Sequence, residues 1–135
     1  MLSLAFFRNT IAFVNSNGNL CVSFTEKELF KEVKYVLSAY GTANFECVHE
    51  GGNVPVVASQ STVSAFLSRE ESIRPKHGKI EATLCTDNSF PTSGDFNCPL
   101  GQNLVLKSIS YHNIVLTDTT NGIAVNLSDA SRQFL

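Results

Sequence analysis

The sequence predicts an α+β fold that is mostly β: an antiparallel sandwich or barrel of about eight strands with one amphipathic helix, residues 26–40, packed on it. Three observations lead there. Short stretches of alternating apolar and polar residues recur along the chain, separated by turns containing Asn, Gly or Pro. One segment combines a helical start, face and stop. The βα alternation of a parallel nucleotide-binding sheet is nearly absent. At 135 residues the chain has the length of one ordinary domain, and residues 1–135 are read as one unit.

The opening reads as strands. Leu2, Leu4 and Phe6 alternate with Ser3 and Ala5, and Ile11 and Phe13 with Thr10 and Ala12. Asn15–Asn19 contains the Asn-Gly pair that tight hairpins prefer, because their central residues need positive φ. Leu20, Val22 and Phe24 then form the face of a returning strand. The helix follows. Thr25 and Glu28 have the spacing of a capping box, and Leu29, Phe30, Val33, Val36, Leu37 and Tyr40 fall within about 120° of one helical face. Gly41 supplies a left-handed stop.

Beyond it, Phe45 and Cys47 alternate with Asn44 and Glu46 up to Gly51-Gly52-Asn53. Residues 54–59 read as a strand beside Pro55, suited to an edge. Residues 62–73 fit a short second helix or irregular turn, although Val63, Ala65 and Leu67 also alternate. Ile80, Ala82 and Leu84 form the next strand face. Thr86–Gly101 reads as a long loop, and three strands close the chain: Leu104–Ile109, Asn113–Leu116 and Ile123–Leu127.

Only 16% of residues are charged, against 43% apolar and roughly 25% charged in average soluble domains. Ser, Thr and Asn together number 37, partly because β-rich domains carry many turns. A neutral polar surface gives little protection against association. The charges cluster: six lie between Glu26 and Lys34 and seven between Arg69 and Glu81. With a net charge of -2 and no basic patch legible in the sequence, neither nucleic acid nor an anionic membrane is implied. No apolar run reaches the length of a membrane span. No targeting signal is read, so synthesis in the cytoplasm is expected.

The search for chemistry finds little. Cysteines at 21, 47, 85 and 98 are spaced by 26, 38 and 13 residues, without a C-x-x-C pair. Buried thiols are the favoured reading, with a Cys85–Cys98 disulfide or a catalytic thiol as alternatives. Cys47 and His49 share a predicted strand face and form the best nucleophile–base pair, yet such neighbours sit ~7 Å apart. No phosphate cradle, nucleophile elbow or metal-ligand spacing occurs; no cofactor, metal site or catalytic residue is assigned. Phe6, Phe13, Phe24, Phe30 and Phe45 are placed on core faces. Phe90, Phe96 and Phe134 fall in a loop and a tail, where they would plug the core or anchor a partner.

The expectation is a non-enzymatic structural or interaction protein, a subunit of a larger assembly such as a viral or phage particle. Its partners would be other proteins or copies of itself, not nucleic acid. A ligand- or peptide-binding module using residues 86–101, and a small hydrolase using Cys47 and His49, are the alternatives.

Overall fold

The computed structural model describes residues 4–49, 55–87 and 98–135, the side chains of 55–60 excepted. Among these the chain forms eight strands and no helix: β1 (Phe6–Val14), β2 (Leu20–Lys27), β3 (Val33–His49), β4 (Pro55–Ile73), β5 (Lys79–Cys85), β6 (Gln102–Asp118), β7 (Ile123–Leu127) and β8 (Ala130–Gln133). A three-stranded sheet, β1-β2-β5, faces a five-stranded sheet ordered β4-β3-β6-β7, with β8 beside β7 along the same flank of β6. Every pairing is antiparallel. Side chains of both sheets meet in one core, in which Leu20, Val22 and Phe24 oppose Tyr35, Leu37, Ile109, Tyr111 and Leu116.

The helix expected over 26–40 is not there; the segment is the end of β2, a tight connection, and the first half of β3. Val33, Tyr35, Leu37, Ala39 and Ala43 all face the core, a strict period of two. The same segment satisfies the helical spacing through Phe30, Val36 and Tyr40, and these point out of the core. β3 is paired on both sides, by β4 and β6, and its β-branched and aromatic residues suit that two-sided ladder. Thr25, the supposed cap, pairs with Glu81 inside a sheet. The short helix or turn considered for 62–73 is also strand, the greater part of β4.

Bulges account for the other departures. In β6, Ser38 faces Val115 and Tyr40 faces His112, so Ala39 alone spans Asn113 and Ile114. Asn113 sits at φ 52°, the left-handed conformation Asn tolerates best after Gly. The extra residue reverses the alternation, bringing Tyr111 and then Ile114 to the core. Two strands expected at 104–109 and 113–116 are therefore one. In β1 a shift between Arg8 and Ile11, with Asn9 at φ 54°, does the same. Ala5 and Phe7, then Ala12 and Val14, turn inward, leaving Phe6 and Phe13 outside with Phe30. Of the five phenylalanines placed in the core, Phe24 is buried and Phe45 packs partly against the core.

The hairpin expected at Asn15–Asn19 joins β1 to β2. Asn15 Oδ1 accepts the backbone N–H groups of Asn17 and Asn19, each at 3.0 Å, and Gly18 takes φ 84°. From β6, the buried Tyr111 hydroxyl donates to the Gly18 carbonyl; burial pushes its pKa up to about 12. Tyr111→Phe deprives that carbonyl of its donor and is expected to cost about 1–2 kcal/mol, read as a lower denaturation midpoint at unchanged slope.

Candidate functional site

The outer face of the five-stranded sheet carries the most unusual surface. Strand register sets it out in rows. Phe66, Tyr40 and His112 stand side by side on β4, β3 and β6. Next comes Ser64, Thr42, Ser110 and Ser131, then Thr62, Asn44, Ser108 and Gln133; on the other side lies Ser68, Ser38, Val115 and Asn126. None of these positions carries Lys, Arg, Asp or Glu. A solvated sheet face ordinarily carries Lys and Glu at such positions.

Its centre is aromatic. Tyr40 is 47% exposed and Phe66 58%, with ring centroids 5.1 Å apart. His112 stacks on the other side of Tyr40 at 5.8 Å and 21° between planes. Around them the hydroxyls and amides bond to one another: Thr62 Oγ1 donates to Asn44 Oδ1 at 2.8 Å, Asn44 Nδ2 donates to Ser108 Oγ at 3.0 Å, and Thr42 and Ser64 share a bond of 3.3 Å. Cross-strand bonds of this kind restrict the rotamers of the side chains they join. At its margin, a hollow of about 300 Å³ is lined by Asn44, Ser61, Thr62, Lys107, Ser108 and Glu46. Glu46 is buried there and ion-paired to Lys107 at 2.9 Å.

The opposite exterior, the outer face of the smaller sheet, carries an apolar stripe. The bulge at Asn9 turns Phe6, Ile11 and Phe13 of edge strand β1 outward, continuing from Leu4; all four are exposed.

The residues expected to matter are distributed differently. Phe90 and Phe96 lie outside the described residues, as do most of the 86–101 loop and Gly51-Gly52-Asn53. Phe134 packs partly buried against the core, with Arg132 5.5 Å from its ring centre. Cys47 is buried and disulfide-bonded to Cys98, so it offers no thiolate to His49 and the hydrolase reading loses its nucleophile. Cys85 bonds to Cys21, its direct partner across β2 and β5, and not to Cys98. The cysteines are bridged, not the buried thiols favoured from sequence.

Sequence reasoning missed a polar cluster inside the core. Glu26 and Asp118 are both fully buried, and the Tyr35 hydroxyl donates to Glu26 Oε1 at 2.6 Å. Asp118 accepts the backbone N–H and the amide of Asn121 at 2.8 and 2.7 Å. Burial first, then the neighbouring Asp118, push the Glu26 pKa up to about 8, so at neutral pH the carboxylic acid form prevails. Burial and Glu26 push the Tyr35 hydroxyl higher as well. The signal was present: Leu20, Val22, Phe24 and Glu26 continue one alternation, and Ile114, Leu116 and Asp118 another. No substrate reaches carboxyls held so deep, and the cluster reads as structural.

No family model, curated protein or solved structure matches this chain. No helix among the described residues is long and apolar enough to cross a membrane.

Proposed function

We propose that this protein is a non-enzymatic assembly subunit whose two outer sheet faces pack against neighbouring protein. The carrying observation is the uncharged face centred on Tyr40 and Phe66, four rows deep and three or more strands wide. The β1 stripe of Leu4, Phe6, Ile11 and Phe13 adds a second contact surface on the other side of the sandwich. Exposed aromatic clusters and contiguous apolar patches mark interaction surfaces on proteins otherwise polar outside. A subunit with contact faces on opposite sides builds extended or ring assemblies more readily than a closed dimer. Both disulfides favour an oxidising compartment as the place of work, whatever the site of synthesis.

The reading is tested by sedimentation velocity across a wide concentration range. Association that grows with concentration is expected. Tyr40→Ser with Phe66→Ser, and separately Ile11→Lys with Phe13→Lys, should each weaken it about tenfold or more, since hot-spot residues carry most of an interface's energy. These side chains are exposed, so thermal midpoints should move little. A strict monomer at every concentration, binding no co-expressed neighbour from its own source, removes the proposal.

A further inference from the structure

The two charge-rich stretches of the sequence meet at one end of the sandwich. The β2–β3 connection and the β4–β5 connection lie side by side there, joined by the Leu29 N–H donating to the Gly78 carbonyl at 2.9 Å. Leu29 is buried and fixes the tip of the first loop to the second. Its neighbour Phe30 is thereby turned outward and is 87% exposed. A large aromatic ring held that far into solvent by an anchored backbone is costly to leave uncovered.

Its surroundings are basic. Residues 27–32 and 73–81 carry five cations and three carboxylates, a formal net +2 in a chain of formal net -2; the remainder sums to -4, or -3 with Glu26 protonated. Glu32 and Glu81 are already engaged by Arg74 and Lys79. Lys27, Lys31 and Lys76 have no ion pair among the described residues. Beside Phe30 lies a hollow of about 410 Å³ bounded by Lys27, Glu28, His77, Gly78 and Lys79.

We propose that this pole docks on an anionic lipid surface, Phe30 entering the headgroup region while Lys27, Lys31 and Lys76 face lipid phosphates. Charge complementarity singles out the occupant. The remainder of the molecule is repelled by an anionic bilayer, so only this end approaches, and the protein's charge asymmetry orients it before contact. The tip projects a single ring outward, a shape that enters a fluid interface without a preformed pocket. An apolar side chain combined with a basic surround supplies the two signals that peripheral attachment needs. This surface lies at the end of the sandwich and adjoins the β1 stripe where Lys27 pairs with Phe6; its test reads attachment to lipid, not association between protein chains.

The chain contains no tryptophan, so Phe30→Trp gives a reporter without background. The oxidised full chain is mixed with vesicles of phosphatidylcholine alone, or of phosphatidylcholine with phosphatidylglycerol. Co-sedimentation with the mixed vesicles only is expected, weakening as salt rises, together with a blue shift of the indole emission from the F30W variant. Phe30→Ser should weaken binding about tenfold or more, and Lys31→Gln with Lys76→Gln about fivefold per lysine. Absence of binding to the mixed vesicles at low salt overturns the proposal. So does binding that leaves the indole emission unshifted and is indifferent to Phe30→Ser.

Discussion

The folded protein is expected to lose stability as pH rises from about 4.5 to about 8 and then to level off. Glu26 supplies the dependence. Its pKa moves from 4.5 in the unfolded chain to about 8 in the fold, so between those limits the native state keeps a proton that the unfolded state releases. Stability therefore falls with pH, by up to about 1.4 kcal/mol per pH unit where the difference is one whole proton. Below the lower limit both states are protonated, and above the upper limit both are ionised; there the term is flat. The physical source is a carboxyl buried on the core-facing side of β2, with the carboxylate of Asp118 on β6 nearby and the Tyr35 hydroxyl donating to its Oε1. Glu26→Gln keeps a donor toward Asp118 and an acceptor for Tyr35 but cannot ionise. Urea unfolding at a series of pH values should show the slope in the parent chain and its loss in the variant. A parent chain equally stable throughout that interval would mean that Glu26 ionises in the fold as readily as in the unfolded chain.

Breaking the Cys21–Cys85 bridge should have an effect of comparable size. The bond joins residues 64 apart in sequence, and closing a loop of that length removes enough freedom from the unfolded chain to stabilise the fold by about 4 kcal/mol. It also ties two strands already paired in register, so the native structure needs no rearrangement to accept its loss. Cys21→Ala with Cys85→Ala should unfold at much lower denaturant while keeping the far-ultraviolet signature of a sheet protein. A loss below about 1 kcal/mol would place the benefit elsewhere, in residual structure of the unfolded state.

The strands are legible wherever alternation runs unbroken, as in Leu20–Phe24 and Ile80–Leu84, and where Asn-Gly marks a turn. The helix error comes from a segment whose apolar residues satisfy two periods at once. Val33 and Leu37 lie on the helical face and also on the core side of β3, so periodicity does not decide between them. What decides is pairing with β4 and β6, which lie far along the chain and leave no local mark. Asn9 and Asn113 hide two strand continuities, because one inserted residue inverts the pattern by which a strand is recognised. The apolar exterior of β1 is invisible for that reason: unbroken alternation puts Phe6 and Phe13 on opposite faces of the strand, and the bulge at Asn9 brings both to the outer one.

The candidate faces are legible only in aggregate. Scarcity of charge and abundance of Ser, Thr and Asn suggest a neutral exterior, yet Thr62, Asn44 and Ser108 come from three distant segments that only register makes adjacent. The basic pole is half visible, as two charge clusters well separated along the chain. Nothing local says that the loops bearing them hydrogen-bond to one another. The bridge between Cys21 and Cys85 has a trace, since both lie on the outward side of their strands.

The order of strands along the chain has a kinetic consequence. β2 finds its second neighbour only in β5, and β3 only in β6, so an emerging chain can form hairpins early but must wait for its later half before either layer is complete. Chains dominated by such distant pairings fold in milliseconds to seconds. β8 zips onto Ser108–Tyr111 and covers the middle of the β6 flank, beside the stretch paired with β7. A chain cut short before residue 130 would therefore leave the ribosome with a raw seam along an interior strand, open to any stray partner with backbone to pair.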